Sequence, residues 1–132
     1  MTYQDILDSA TLAACESTRT SASLTDYTER APYLLASFVG LYANADRQYR
    51  LAHKIPEVEI ATDTVCVSLT DTFPLSDVFV PAAVSYLASQ LTLDENEELS
   101  DRFFDRYIDM ILAIRQELPC VCEPISDRYG LI

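Results

Sequence analysis

The sequence predicts a mainly α protein: a four-helix bundle-like domain with a short β-hairpin between its second and third helices. Apolar residues recur at three- and four-residue steps in four separate segments, the spacing that builds one buried helix face. Between the second and third of these, over residues 57–69, the period falls to two, as in a half-buried strand. The chain of 132 residues is 49% hydrophobic and carries eight Tyr and five Phe, too apolar and aromatic for a disordered segment. At this length one domain buries roughly two-thirds of the surface of its unfolded chain. The expected domain spans 1–118, with the hairpin at 57–69 and a C-terminal tail at 119–132.

The first helix is expected to begin under a Thr2 cap and to run to about Glu16, carrying Ile6, Leu7, Ala10, Leu12, Ala13 and Ala14. Residues 17–26 are rich in Ser and Thr, whose side chains compete for backbone hydrogen bonds, and they read as a loop. A longer second helix is expected from near Thr28, because Pro32 is tolerated only close to a helix start. It continues through Leu34, Leu35, Phe38, Leu41, Tyr42 and Ala45 toward Ala52. Gly40 inside it sacrifices about 1 kcal/mol relative to alanine, which points to a close approach by another helix. His53, Lys54, Ile55 and Pro56 end the helix. There His53 reads as a partner of the helix dipole rather than a general base, since the chain has one histidine.

Val58 and Ile60, then Val65, Val67 and Leu69, alternate with Glu59, Cys66 and Ser68 across a turn at Ala61, Thr62, Asp63 and Thr64. A lone hairpin is marginal in water, so it must pack on the helices or pair with strands of another copy. The third helix carries Phe79, Ala82, Ala83, Tyr86, Leu87 and Leu91. Ser76 or Asp77 is its expected cap, and Pro81 makes its start irregular. The fourth reads as capped by Asp94, with Glu97 completing an Asp-x-x-Glu box and Glu95 and Glu98 at the positive end of the dipole. Its core stripe is Leu99, Phe103, Tyr107, Met110, Ile111, Ile114 and Leu118, and Pro119 stops it. The tail holds Val121, Ile125, Tyr129, Leu131 and Ile132, which is more apolar than a disordered tail and suits folding back or reaching a neighbour.

Twenty-one acidic against nine basic side chains give a formal net charge of -12, which repels nucleic-acid phosphates and anionic membranes. No apolar run approaches the ~20 residues of a membrane span. The N-terminus lacks a basic, apolar leader, so a soluble cytoplasmic protein is expected. Cys120 and Cys122 form C-x-C, a poor zinc spacing, and Cys15 and Cys66 read as small buried hydrophobes on a helix and a strand. The carboxylates Asp94, Glu95, Glu97, Glu98 and Asp101 suit a helix start. Asp105 and Asp109, laced with Arg102 and Arg106, read as a solvated face. Two glycines, Gly40 and Gly130, do not make a phosphate loop. No catalytic, cofactor-binding or metal residue is assigned, and the expectation is a protein that is not an enzyme.

One arrangement carries a resemblance. A helix, a long helix and a short hairpin are followed by Phe73-Pro74-Leu75-Ser76-Asp77 and a Tyr86-Leu87-Ala88 helix. Then Asp94-Glu95-Asn96-Glu97-Glu98-Leu99-Ser100 leads into Phe103-Phe104-Asp105-Arg106-Tyr107. This order resembles the head-tail connector, or head-completion adaptor, proteins of tailed bacteriophages and prophages, over residues 2–118. The resemblance implies a virion structural protein without catalytic residues or cofactors, assembled in the bacterial cytoplasm and resident in the virion neck. Its partners would be its own copies in a ring and the portal or neck proteins, with DNA only as passing cargo. Val58, Ile60, Val65 and Val67 of the hairpin and Tyr129, Leu131 and Ile132 of the tail are the expected subunit contacts. The alternative from another class is a small intracellular helical adaptor or regulatory protein that binds one protein partner.

Overall fold

The computed structural model describes residues 1–14 and 21–118, the backbone alone for residues 21–25. Four α-helices follow one another: α1 (Tyr3–Ala13), α2 (Ser21–Ala52), α3 (Val80–Thr92) and α4 (Glu97–Glu117), with a 3-10 turn at Asp77–Phe79 leading into α3. The helix with the smallest side chains sits at the centre. Ala82, Ala83, Ser85, Ala88 and Ser89 of α3 are buried, and α1, α2 and α4 all pack on it. Small side chains let helix axes approach closely. Ser100 of α4 donates its hydroxyl to the Ser89 carbonyl at 2.7 Å, tying the two helices together at their turn.

α1 begins where the sequence expected. Thr2 accepts from the Asp5 N–H and the Asp5 carboxylate accepts from the Thr2 N–H, a capping box. Those hydrogen bonds hold the Asp5 carboxyl below the usual carboxylate range. Tyr3, Ile6, Leu7 and Ala10 are buried, while Leu12, expected in the core, is 72% exposed.

α2 differs more. It starts by Ser21, not near Thr28, so Pro32 lies inside it. An interior proline removes one helical hydrogen bond and costs about 3 kcal/mol. Opposing this, Tyr27 and Ala31 are buried on the core side, and the Tyr27 hydroxyl donates to the Glu95 carboxylate in the distant turn between α3 and α4. Burial outweighs local preference here. Of the expected loop, residues 17–20 lie outside the described residues, as do 15 and 16 at the expected end of the first helix, and 21–26 are helical.

The end of α2 is closed without glycine. Lys54 adopts a left-handed backbone with φ 56°, and the Ile55 N–H reaches back to the Arg50 carbonyl at 2.9 Å. That bond is the outer one of a Schellman closure. A side chain in the left-handed region is strained, so Lys54→Gly should raise the unfolding free energy by about 0.5–1 kcal/mol in a urea titration. His53 stacks on Tyr49 with centroids 4.3 Å apart, an exposed ring at the helix end.

The expected hairpin does not form: among the described residues there is no strand, only an isolated bridge between Thr2 and Thr72. The polar groups of this stretch go to the helices instead. The Leu69 carbonyl accepts from the Gln4 N–H at 2.9 Å, and the Asp71 carbonyl accepts from the Tyr3 N–H at 3.1 Å. Val67 donates to the Pro32 carbonyl at 3.3 Å. The first N–H groups of a helix have no partner within the helix. Residues 69–71 satisfy those of α1. Gly40 also departs from expectation. A Cβ there would lie 3.5 Å from the Thr62 carbonyl oxygen, an ordinary contact with this same stretch rather than with another helix.

α3 and α4 follow the predicted stripes. Phe79, Ala82, Ala83, Leu87 and Leu91 are buried with Phe103, Tyr107, Ile111 and Ile114. The cap of α4 is Asn96, not Asp94: its backbone is extended and its side-chain oxygen accepts from the Leu99 N–H at 3.1 Å. The turn from α3 continues through Thr92, whose carbonyl takes the N–H groups of Glu95 and Asn96. That leaves Asn96 as the residue at the helix mouth.

Tyrosines line the centre. The Tyr42 and Tyr107 hydroxyls share a hydrogen bond in the core. Burial, then the Tyr42 contact, pushes Tyr107 above the ordinary tyrosine range. Burial and then the charge of Asp71 raise Tyr3 to about 12, and burial followed by Tyr42 raises Tyr86. In the unfolded chain these phenols ionise near about 10. The folded state therefore holds protons that the unfolded state releases, and stability falls as pH rises. Melts should be unaffected by these groups below about pH 10 and lose stability from there toward 12, with the part of the tyrosinate absorbance due to Tyr3, Tyr86 and Tyr107 appearing only on unfolding. Full tyrosinate absorbance reached before the unfolding transition would contradict this.

Candidate contact surface

Two neighbouring residues of α2 hold the loop that leads to α3. Asp46 has no exposed surface and pairs with Arg50 one turn later at 2.8 Å. Its other oxygen accepts from the Ser76 N–H at 2.7 Å. Arg50 then gives its remaining donors to the Pro56 and Pro74 carbonyls, each at 3.1 Å. One buried ion pair thus clamps both ends of the 56–76 stretch onto α2. The Ser76 hydroxyl is buried with no hydrogen-bond partner among the described residues. The backbone N–H beside it, not the hydroxyl, is the group the site uses.

Between these clamps residues 57–69 run along α2 without regular secondary structure, with bends at Thr62, Asp63 and Val65. The expected alternation holds only at Val67 and Leu69, on either side of the exposed Ser68. Ile60, Val67 and Leu69 pack against the core, whereas Val58 is 47% and Val65 75% exposed. Of the four hairpin residues expected to meet another subunit, two therefore face outward and two face in. Tyr129, Leu131 and Ile132 lie outside the described residues, as do Cys15, Cys120 and Cys122. Cys66, expected on a strand and buried, is a free and exposed thiol. Between this stretch and α2 opens a groove of about 520 Å³ lined by Ala43, Asn44, Arg47, Val58 and Ile60. Arg47 and Glu57 face each other across its rim at 3.5 Å.

Two further apolar rows are open. On α2, Tyr33 and Leu41 are 55% and 65% exposed, and on α4, Phe104, Ile108 and Leu112 are 43%, 38% and 52% exposed. The α4 row lies beside the buried row of Phe103, Tyr107 and Ile111, so this helix has apolar side chains on two adjoining faces. The sequence reading missed it by treating the buried stripe as sufficient. Residues 104, 108 and 112 follow one another at four-residue steps, a signal available from spacing alone. The Asp46 and Arg50 clamp was legible only in outline: Asp46 falls on the same helical face as Tyr42 and Tyr49, where a carboxylate demands a partner.

Among the described residues no three His, Cys, Asp or Glu side chains converge as metal ligands. No helix among them is long and apolar enough to cross a membrane. The arrangement offers exposed apolar side chains, the chemistry of protein contact. No protein-family model, curated protein or solved structure matches the chain.

Proposed function

We propose that this protein is a virion structural protein of a tailed bacteriophage or prophage: a head-tail connector whose copies form a ring on the portal and extend the DNA channel. The observation that carries the reading is the connecting stretch held along α2 by the Asp46 and Arg50 clamp, with Val58 and Val65 turned to solvent. A backbone outside any sheet that turns apolar side chains outward is suited to receive another chain. The resemblance of residues 73–107 to connector proteins supports the same assignment. A net charge of -12 suits a conduit along which DNA slides without being gripped. In this reading Val58 and Val65, with the tail at 119–132, meet neighbouring subunits or adjoining rings, and the protein acts without catalysis.

The test is the mass by light scattering after size exclusion, for the chain alone and then with the portal protein encoded nearest its gene. A ring, or stable co-elution with the portal, is the expected result. Removing residues 119–132 should abolish assembly and leave the helical circular dichroism intact. A chain that stays monomeric and ignores the portal over a wide concentration range would overturn the assignment and favour a small adaptor with one protein partner.

A further inference from the structure

The stretch between α2 and α3 is fastened unevenly. From Val67 onward its backbone is tied repeatedly to the rest of the fold: Val67 donates to the Pro32 carbonyl, the Leu69 and Asp71 carbonyls accept from α1, and Phe73 donates to the Met1 carbonyl at 2.8 Å. Arg50 and Asp46 hold Pro74 and Ser76. At the other end Ile55 and Pro56 are fixed to Arg50. Residues 57–66 lie between these two fastenings. Among the described residues no hydrogen bond joins them to a helix, and their one polar tie is the exposed pair of Glu57 with Arg47 at 3.5 Å. Every residue of the segment is exposed except Ile60, which is half-buried.

The segment also spans hollows rather than filling them. One is the groove of about 520 Å³ against Ala43, Asn44 and Arg47. A second, of about 240 Å³, separates Ile60, Thr64 and Cys66 from Tyr3, Ala36 and Val39, the last three all buried. Over Gly40 the Thr62 carbonyl stands far enough off that an added Cβ would meet it only at 3.5 Å. Atoms facing a hollow lack partners on that side and forfeit dispersion attraction. An exposed ion pair adds little to the hold.

We infer that residues 57–66 are a strap that swings off α2 as one unit, hinged at Pro56 and Val67, while the four helices stay folded. Ile60, packed against the core, is its latch. Opening withdraws Ile60 and bares Ala36 and Val39 of α2. A segment held by one apolar side chain and no backbone hydrogen bonds opens at a free energy well below that of global unfolding. The strap thereby gives this side of the protein two surfaces. The closed one presents Val58 and Val65; the open one adds Ile60 and the strip beneath it. A partner that takes Ile60 binds the open form alone, and the closed population lowers its apparent affinity. The opening is a property of the chain by itself and stands apart from the connector reading.

Thiol labelling tests this on the full chain with its four cysteines changed to serine and a single thiol introduced. Val39→Cys and Ala36→Cys place it beneath the strap, and Ser85→Cys places it between α3 and α4, where Ser85 is buried beside Met110. Circular dichroism shows that each variant remains helical. The thiols at 36 and 39 should react at one common rate, at least about tenfold faster than the thiol at 85. That rate should be flat in low urea, because the opening exposes little surface, whereas labelling at 85 should climb with urea as global unfolding does. Ile60→Ala should speed labelling at 36 and 39 about fivefold. Ile111→Ala, in the buried stripe of α4, should speed labelling at 85 at least about tenfold and leave 36 and 39 unchanged. Equal rates and equal urea dependence at all three positions would overturn the strap. So would indifference of 36 and 39 to Ile60→Ala, or labelling there as fast as at the exposed Cys66 of the native chain. A strap that opens on a chain that neither assembles nor binds the portal overturns the connector reading alone. A strap that stays shut on a chain that forms rings overturns only the present inference.

Discussion

Phe38→Ala should destabilise the domain by about 3–5 kcal/mol, the range for emptying a buried aromatic site. Phe38 has no exposed surface. Its ring lies 4.8 Å from Tyr42, 5.5 Å from Tyr86, 6.2 Å from Tyr107 and 6.4 Å from Phe73. It therefore touches the second, third and fourth helices and the segment that precedes α3. Removing it opens a void where those elements meet, and rings held by mutual contact cannot all collapse into it. A domain of this size has about 5–15 kcal/mol in total, so the variant should be partly unfolded near body temperature. Urea unfolding of the wild type and of Phe38→Ala measures the difference directly, and Phe38→Leu should recover a large part of it. A loss below about 1.5 kcal/mol would mean that Phe38 is not the joint between the helices.

The second large effect is expected at Asp46. Asp46→Ala should cost about 3–5 kcal/mol, because it leaves the Arg50 guanidinium, only 13% exposed, without its counter-charge. The Ser76 N–H loses its acceptor at the same time. Breaking one side of a buried pair is worse than removing both. Asp46→Leu combined with Arg50→Met should therefore recover part of the loss, though the Pro56 and Pro74 carbonyls then lack the Arg50 donors. Amide exchange separates this mechanism from general loosening. Protection should fall first around residues 74–76, while the α3 and α4 amides keep theirs until global unfolding. Uniform loss across all four helices would contradict a local clamp.

These two residues mark the boundary of what could be read from the chain. The helical period over 97–117 predicted the buried stripe Phe103, Tyr107, Ile111 and Ile114, and the Thr2 cap of α1 was legible because its partner lies three residues away. Both signals are local. Period two over 57–69 was equally local, but it placed Val58 with Ile60 and Val65 with Val67 on one face, and the structure splits both pairs, Ile60 and Val67 inward, Val58 and Val65 outward. It also misled about pairing. The partners of this backbone lie elsewhere: the open N–H groups of α1 and the Pro32 carbonyl.

The position of Pro32 teaches the same lesson. Proline rules placed a helix boundary beside it, yet Tyr27 and Ala31 are buried against distant elements and extend α2 past it. Leu12 and Leu41 fit helical stripes and still face solvent, since a stripe shows where apolar side chains gather but not which neighbour arrives to cover them. By itself the sequence determined four helices, most of their buried faces and an acidic surface, because helical period, capping and charge act within a few residues. Tertiary structure alone decided that α3 is the hub, that Asp46 and Arg50 clamp the connecting stretch, and that apolar rows on α2 and α4 stay open. Each of those depends on which surfaces meet across the fold, where burial and the satisfaction of backbone groups outweigh local preference.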